Sequence, residues 1–261
     1  MRSYLGYGAH EVETALIDRV VGGASGPAAG AESPCGFGGR RQEVGPGPAS
    51  VSFTGDFDAC LEQVLDQLRA VDVERAPAAA ADDGPEDGAG EAGGPGLRPI
   101  PGRLVRGTHV YGLALLFHVA HFVQASIGGL PRYPLVSTPE LADAGRRLCA
   151  VPWREMQSKY AEVDPNTPPN RIGGRCFDTA LAVALVMRLG LGGGAAGGST
   201  DPGGAAVSIE VTQRVADMDV DWTVGVAVNL LGRDGPAEFK SMIETGPGGD
   251  LVLGKFATID D

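Results

Sequence analysis

His118 and His121 stand three residues apart in the apolar stretch Tyr111–Ser126, where helical spacing puts them on one face. Such a pair of imidazoles can ligate a metal ion when a third ligand joins it. No acidic residue completes the pattern nearby, and the flanking residues are apolar, which leaves packing or ligand contact. Four cysteines, Cys35, Cys60, Cys149 and Cys176, allow three pairings if oxidised and are equally compatible with reduced core thiols. The sequence has no Gly-x-Ser-x-Gly, no Walker loop and no deaminase spacing, and its glycine-rich runs lack the Lys-Ser/Thr that would make them phosphate loops.

The elements that must position these groups are legible as periodic segments. Val12, Ala15, Leu16 and Val20 recur at helical spacing and predict a helix over Ala9–Val21. A short strand is expected around Ala49–Phe53. It leads into a helix with Phe57, Cys60, Leu61, Val64, Leu65 and Leu68 on one face and Asp56 as its N-cap. Tyr111–Ser126 reads as a core helix stopped by Gly128-Gly129. Ser137-Thr138-Pro139-Glu140 combines a cap, an early proline and a reciprocal acid, so a helix should run to about Leu148, and Pro152 should open another. Cys176–Leu191 is a further apolar helix ended by glycines. Val207, Ile209 and Val211 alternate with polar residues as a half-buried strand does. Trp222–Leu231 reads as helix and Leu251–Leu253 as a strand. Mixed elements of this kind suit an α/β layer architecture.

Composition sets further bounds. The chain has 261 residues, with 41 Gly and 19 Pro concentrated in Gly22–Ser33, Ala76–Gly96 and Gly190–Gly204. These three stretches are expected to be solvated insertions, because they offer little apolar surface to offset the ordering of a backbone. The net charge of −12 argues against nucleic acid as a partner, since phosphate contacts need a cationic excess. An anionic nucleotide is not excluded, being held by local groups. No apolar run has the length and purity of a membrane span or a signal peptide.

Several segments, taken in order, resemble the apyrase family of nucleoside tri- and diphosphate hydrolases. They are Ser3-Tyr4-Leu5-Gly6-Tyr7-Gly8, Ser33-Pro34-Cys35-Gly36, Gly55-Asp56-Phe57-Asp58-Ala59-Cys60, the run Cys149-Ala-Val-Pro-Trp153 to Tyr160, Cys176-Phe177-Asp178 and Asp221-Trp222-Thr223-Val224-Gly225. The resemblance covers most of the chain outside the glycine-rich stretches. It implies an α/β, actin-like (ribonuclease H-like) lobe, incomplete and carrying long Gly/Ala/Pro-rich insertions, with residues 1–261 forming the C-terminal portion of a nucleoside phosphatase. It also implies the pairings Cys35–Cys60 and Cys149–Cys176, and hence an oxidising compartment, the secretory lumen (Golgi) or the exterior.

For the site, the resemblance implies that Val110–Phe122 is the segment packing on the nucleobase. His118 then stands where relatives carry a stacking Tyr or Phe, beside Phe117. Arg171 falls on the base's other face and Trp222 near the nucleotide. Val226 departs mildly from the family pattern. Catalysis in the family needs phosphate loops from both lobes, a Glu that activates water, and Ca²⁺ or Mg²⁺. All of these precede the segment that Ser3–Gly8 resembles. The catalytic and metal residues are therefore expected upstream of Met1, outside this chain. The expected activity is hydrolysis of the terminal phosphate of a nucleoside di- or triphosphate, with this chain supplying the nucleoside-binding part. The alternative is a non-catalytic nucleotide-binding or interaction module.

Overall fold

The computed structural model describes residues 8–23, 30–45, 49–74, 110–191 and 207–215, together with the backbone of short strands at 218–219, 243–245 and 251–253. Among these residues the fold is mixed α/β, with six α-helices and small sheets.

Its centre is helix α6, Arg175–Arg188. The run Cys176-Phe177-Asp178-Thr179-Ala180-Leu181-Ala182-Val183-Ala184-Leu185-Val186 is apolar on nearly every face, and a helix of that kind must be enclosed. Ten of its residues are buried. Around it pack α1 (Ala9–Gly23), α2 (Phe57–Glu74), α3 (Leu115–Ser126), α4 (Thr138–Cys149) and a 3-10 turn at Pro169–Gly174. The expected glycine stop is realised as a Schellman motif. Leu191 N–H donates to the Val186 carbonyl (3.1 Å), Gly190 N–H to that of Met187 (3.0 Å), and Gly190 takes a φ of 77°. Leu191, the second residue of the third glycine-rich stretch, is buried and belongs to the core.

Capping chemistry fixes the other helices. The Asp56 carboxylate accepts from Ala59 N–H (3.1 Å) at the start of α2. Ser137 and Glu140 form a reciprocal capping box on α4 with Pro139 in the first turn, and α5 (Trp153–Lys159) begins directly after Pro152. Gly55, at φ 78°, lets the chain entering α2 lie against the end of α4, where a side-chain carbon would stand 2.5 Å from the Cys149 carbonyl oxygen.

Two three-stranded sheets flank the helices. In the first, β1 (Ala31–Ser33) runs parallel and β2 (Arg41–Glu43) antiparallel to the central β3 (Ser50–Phe53). In the second, β4 (Val110–Gly112) runs parallel and β5 (Leu135–Val136) antiparallel to the central β6 (Ile209–Val211). Short antiparallel pairs join β7 (Arg214–Val215) to β8 (Met218–Asp219), and β9 (Ile243–Thr245) to β10 (Leu251–Leu253).

Two sequence expectations are corrected. Tyr111–Ser126 is not helical from its start: Val110–Gly112 pairs with β6, and the helix begins at Leu115. A short apolar run satisfies either period, and long-range strand pairing decides between them. The stretch Gly22–Ser33 is ordered at both ends. Gly22 and Gly23 complete α1, and Ala31–Ser33 pairs with β3, burying Ala31 and Ser33. The insertion Ala76–Gly96 and the helix expected at Trp222–Leu231 lie outside the described residues.

Both disulfides have the pairing implied by the resemblance, Cys35–Cys60 and Cys149–Cys176, and no cysteine is free. The first ties the segment after β1 to α2, and the second ties the end of α4 to the start of α6. They are compatible with a lumenal or extracellular protein. No helix among the described residues is long and apolar enough to cross a membrane. Denatured, unreduced protein should titrate for no free thiols. Replacing Cys149 and Cys176 by Ser should lower unfolding free energy in denaturant by about 3.5 kcal/mol, the chain-entropy value for a loop of this length; unchanged stability would mean that the staple carries no constraint.

Candidate functional site

Strand β4 turns through Ala114, a non-glycine residue at φ 49°, directly into α3. The sharp entry sets out three rings near the start of the helix. The Phe117 centroid lies 5.4 Å from that of His118, edge-on, and 5.4 Å from that of His121, tilted by 35°. Tyr133 stands edge-on to His121 at 6.2 Å. Phe117 is 9% exposed, whereas His118 and His121 are half-buried.

A buried carboxylate organises this group. Asp164, 3% exposed, lies in the turn Asp164-Pro165-Asn166-Thr167 between α5 and the 3-10 turn. Its Oδ1 accepts from Asn166 N–H (2.8 Å) and from His121 Nδ1 (2.9 Å), and its Oδ2 accepts from the Thr167 hydroxyl (2.5 Å). Thr167 Oγ1 accepts in turn from Arg175 Nη2 (2.6 Å). Arg175 is buried at the first position of α6. It also donates to Asp178 Oδ2 (3.2 Å), and its guanidinium lies 5.7 Å from the Phe122 ring centre. One chain of hydrogen bonds therefore links α3, the loop and α6. Each member is bonded to the next, as low-dielectric surroundings favour, with Arg175 Nε left unpartnered.

The electrostatics follow from this packing. Burial would raise the Asp164 carboxyl, but hydrogen bonds from Thr167, Asn166 and His121 outweigh it and hold the group below its ordinary value. For His118, burial and then the positive charge of Arg175 depress the imidazole, so the ring is neutral near pH 7. Its Nδ1 is buried without a hydrogen-bond partner, as is Arg175 Nε. On the other side of Arg175, burial raises the carboxyls of Asp178 and Glu13. The charge of Asp178 adds to the effect on Glu13, which Arg40 and Arg171 oppose, and at Asp178 the opposing cations are Arg175 and Arg171.

Arg171 projects from the 3-10 turn and is exposed. Its backbone is held closely. Arg40, with its guanidinium 4.9 Å from the Phe53 ring centre and 5.8 Å from that of Trp153, donates to the Gly173 carbonyl (2.9 Å). Gly173 leaves room for that approach: a side-chain carbon there would fall 2.8 Å from the guanidinium, which would then have to shift.

Of the four residues singled out for nucleoside contact, the fold brings Phe117 and His118 together on α3. Arg171 faces Asp178 and Glu13 electrostatically, and the cation beside His118 is Arg175. Trp222 lies outside the described residues. So does the segment Met1–Tyr7. The spacing of the sequence pairs His121 with His118 and misses its bond to Asp164. The available signal is Asp164-Pro-Asn-Thr, a sequence whose carboxylate caps its own turn.

Chemically, the group offers flat neutral rings and one imidazole of fixed orientation. Among the described residues the hydrogen-bond partner of His121 is Asp164, and no hydroxyl or thiol stands on the ring as a nucleophile would. No three His, Cys, Asp or Glu side chains among them converge to hold a metal ion. The Ca²⁺ or Mg²⁺ that the resemblance implies thus has no cage in these residues. The arrangement suits recognition of a planar ligand. No family model matches the chain, and no curated protein matches it.

The Asp164 network makes a signed pH prediction. A carboxylate depressed in the fold contributes stability that is present above its unfolded value, near 4, and is lost as pH falls through its folded value. Asp164→Ala should cost about 3 kcal/mol at pH 7, because it strands the buried Arg175–Thr167 pair. In denaturant titrations the difference from the parent protein should shrink below about pH 4. A pH-independent difference would assign the loss to packing instead.

Proposed function

We propose that this chain is the nucleoside-recognising, C-terminal portion of an apyrase-like nucleoside phosphatase, built on an incomplete actin-like lobe. The observation that supports it is the cysteine pairing. Three pairings are open to four cysteines, and the fold has the one that the resemblance implies. The ring cluster supports it as well, since Phe117 and His118 lie together in the segment expected to pack on the base.

In this reading a nucleobase stacks on the α3 rings. Burial, reinforced by the charge of Arg175 behind the rings, keeps His118 neutral and therefore able to stack without carrying a charge out of water. Arg171 is exposed and acts on the Asp178 and Glu13 carboxyls through its charge, and in this reading it turns to the base's other face when a nucleotide enters beside α3. In an intact enzyme of this kind, phosphate-binding loops and a bound Ca²⁺ or Mg²⁺ would position the terminal phosphate and neutralise its charge for attack by water. In this reading the compartment is the secretory lumen (Golgi) or the exterior, with which the two disulfides are compatible.

Isothermal titration of the pure chain with UDP, GDP and ADP tests the reading. Saturable binding of at least one is expected, without phosphate release. His118→Ala should weaken it by roughly 5- to 150-fold, the worth of one stacking contact. No saturable binding to any of the three would contradict the proposal. Metal-dependent phosphate release by the pure chain, abolished by boiling, would show that the catalytic machinery is not confined to another portion.

A further inference from the structure

Resting on the nucleoside-binding reading, we propose that His121 determines specificity at this site: its Nε2 is a fixed hydrogen-bond acceptor, and the ligand it selects is a nucleoside whose base offers a ring N–H. The bond to Asp164 carries the argument. A carboxylate oxygen only accepts, so the His121 Nδ1 at 2.9 Å must be the protonated nitrogen. In the neutral ring this leaves Nε2 as a bare lone pair.

That tautomer is held firmly. The Asp164 side chain is fully buried, and both its oxygens are already committed, Oδ1 also to Asn166 N–H and Oδ2 to Thr167, which the buried Arg175 locks from the far side. Neither the carboxylate nor the ring can turn without breaking that chain. His121 itself keeps 29% of its side chain exposed. Nε2 makes no hydrogen bond among the described residues, and it is not one of the buried, unpartnered atoms.

The open nitrogen borders the flat surfaces expected to take the base. Phe117 is tilted by only 35° to the His121 ring, and Phe117 in turn meets His118. Tyr133 stands edge-on to His121. In the proposal the base lies on the half-buried His118, beside the buried Phe117, and presents its edge to Nε2. His118 is poorly suited to the same task, because its Nδ1 is turned into the core.

Uracil has a single ring N–H once it is joined to ribose, so UDP and its N3-methyl derivative differ by the one donor in question. The parent protein should bind UDP about tenfold more tightly than N3-methyl-UDP, the usual cost of leaving a buried polar atom unpaired. His121→Asn retains an N–H for Asp164 but has no atom at the Nε2 position, so it should bind the two probes equally. His121→Gln places its amide oxygen near that position and should keep the preference. Melting temperatures confirm that each variant is folded, and the Gln variant gives a second reading if the Asn variant is not. Equal binding of both probes by the parent protein, with UDP still weakened by His118→Ala, would overturn the role of His121 and leave the nucleoside reading standing. Absence of saturable UDP binding to the parent protein would overturn both.

Discussion

Everything in this fold answers to the burial of α6. Ten of its fourteen residues are withdrawn from water, so four other helices and a 3-10 turn must enclose it. Burying a Val, Leu or Phe side chain contributes about 1.5–3 kcal/mol, and the sum here is the main force drawing the helices together. The same burial creates a difficulty at the first residue. Arg175 enters the core with its charge, and an unpaired buried guanidinium is not tolerated. Thr167, Asp164 and Asp178 are the response. The polar network of the candidate site is thus a consequence of the apolar helix, and the orientation of His121 is inherited from it.

The segment between α5 and α6 is long, polar and rich in Pro and Asn, yet it is held at four places. Asp164 folds it on its own turn, Arg40 grips Gly173, Ile172 is buried, and Cys149–Cys176 ties α6 to the end of α4 immediately beyond it. Its composition alone suggests freedom, whereas its contacts leave little. That rigidity matters for recognition. Side chains fixed before the ligand arrives lose less entropy on binding, so a modest number of contacts can give useful affinity.

Much of this is legible in the sequence, for physical reasons that differ by element. Helices α1, α2, α4 and α6 announce themselves through apolar spacing, and Asp56, the Ser137–Glu140 box and Gly190 mark ends with the hydrogen bonds that the fold then makes. Strand β4 reads in sequence as the start of α3 because Val110–Gly112 is too short for its period to speak. Its strand character depends on a partner at Ile209–Val211, far along the chain. Strand β1 is hidden in a glycine-rich run for the same reason. At the site, Phe117 and His118 are visible as neighbours in one helix. Asp164, Thr167 and Arg175 are not, because their meaning lies in a contact among three separate elements. Nothing local in the sequence says that His121 meets Asp164.

The central claim is that a nucleobase lies on the ring surface of α3 beside the start of α6. Photo-crosslinking the pure chain with 5-azido-UDP, followed by peptide mapping, tests it most directly. The account predicts label within 111–126 and 169–175, suppressed by excess UDP. Label elsewhere, or label that excess UDP leaves unchanged, would contradict it.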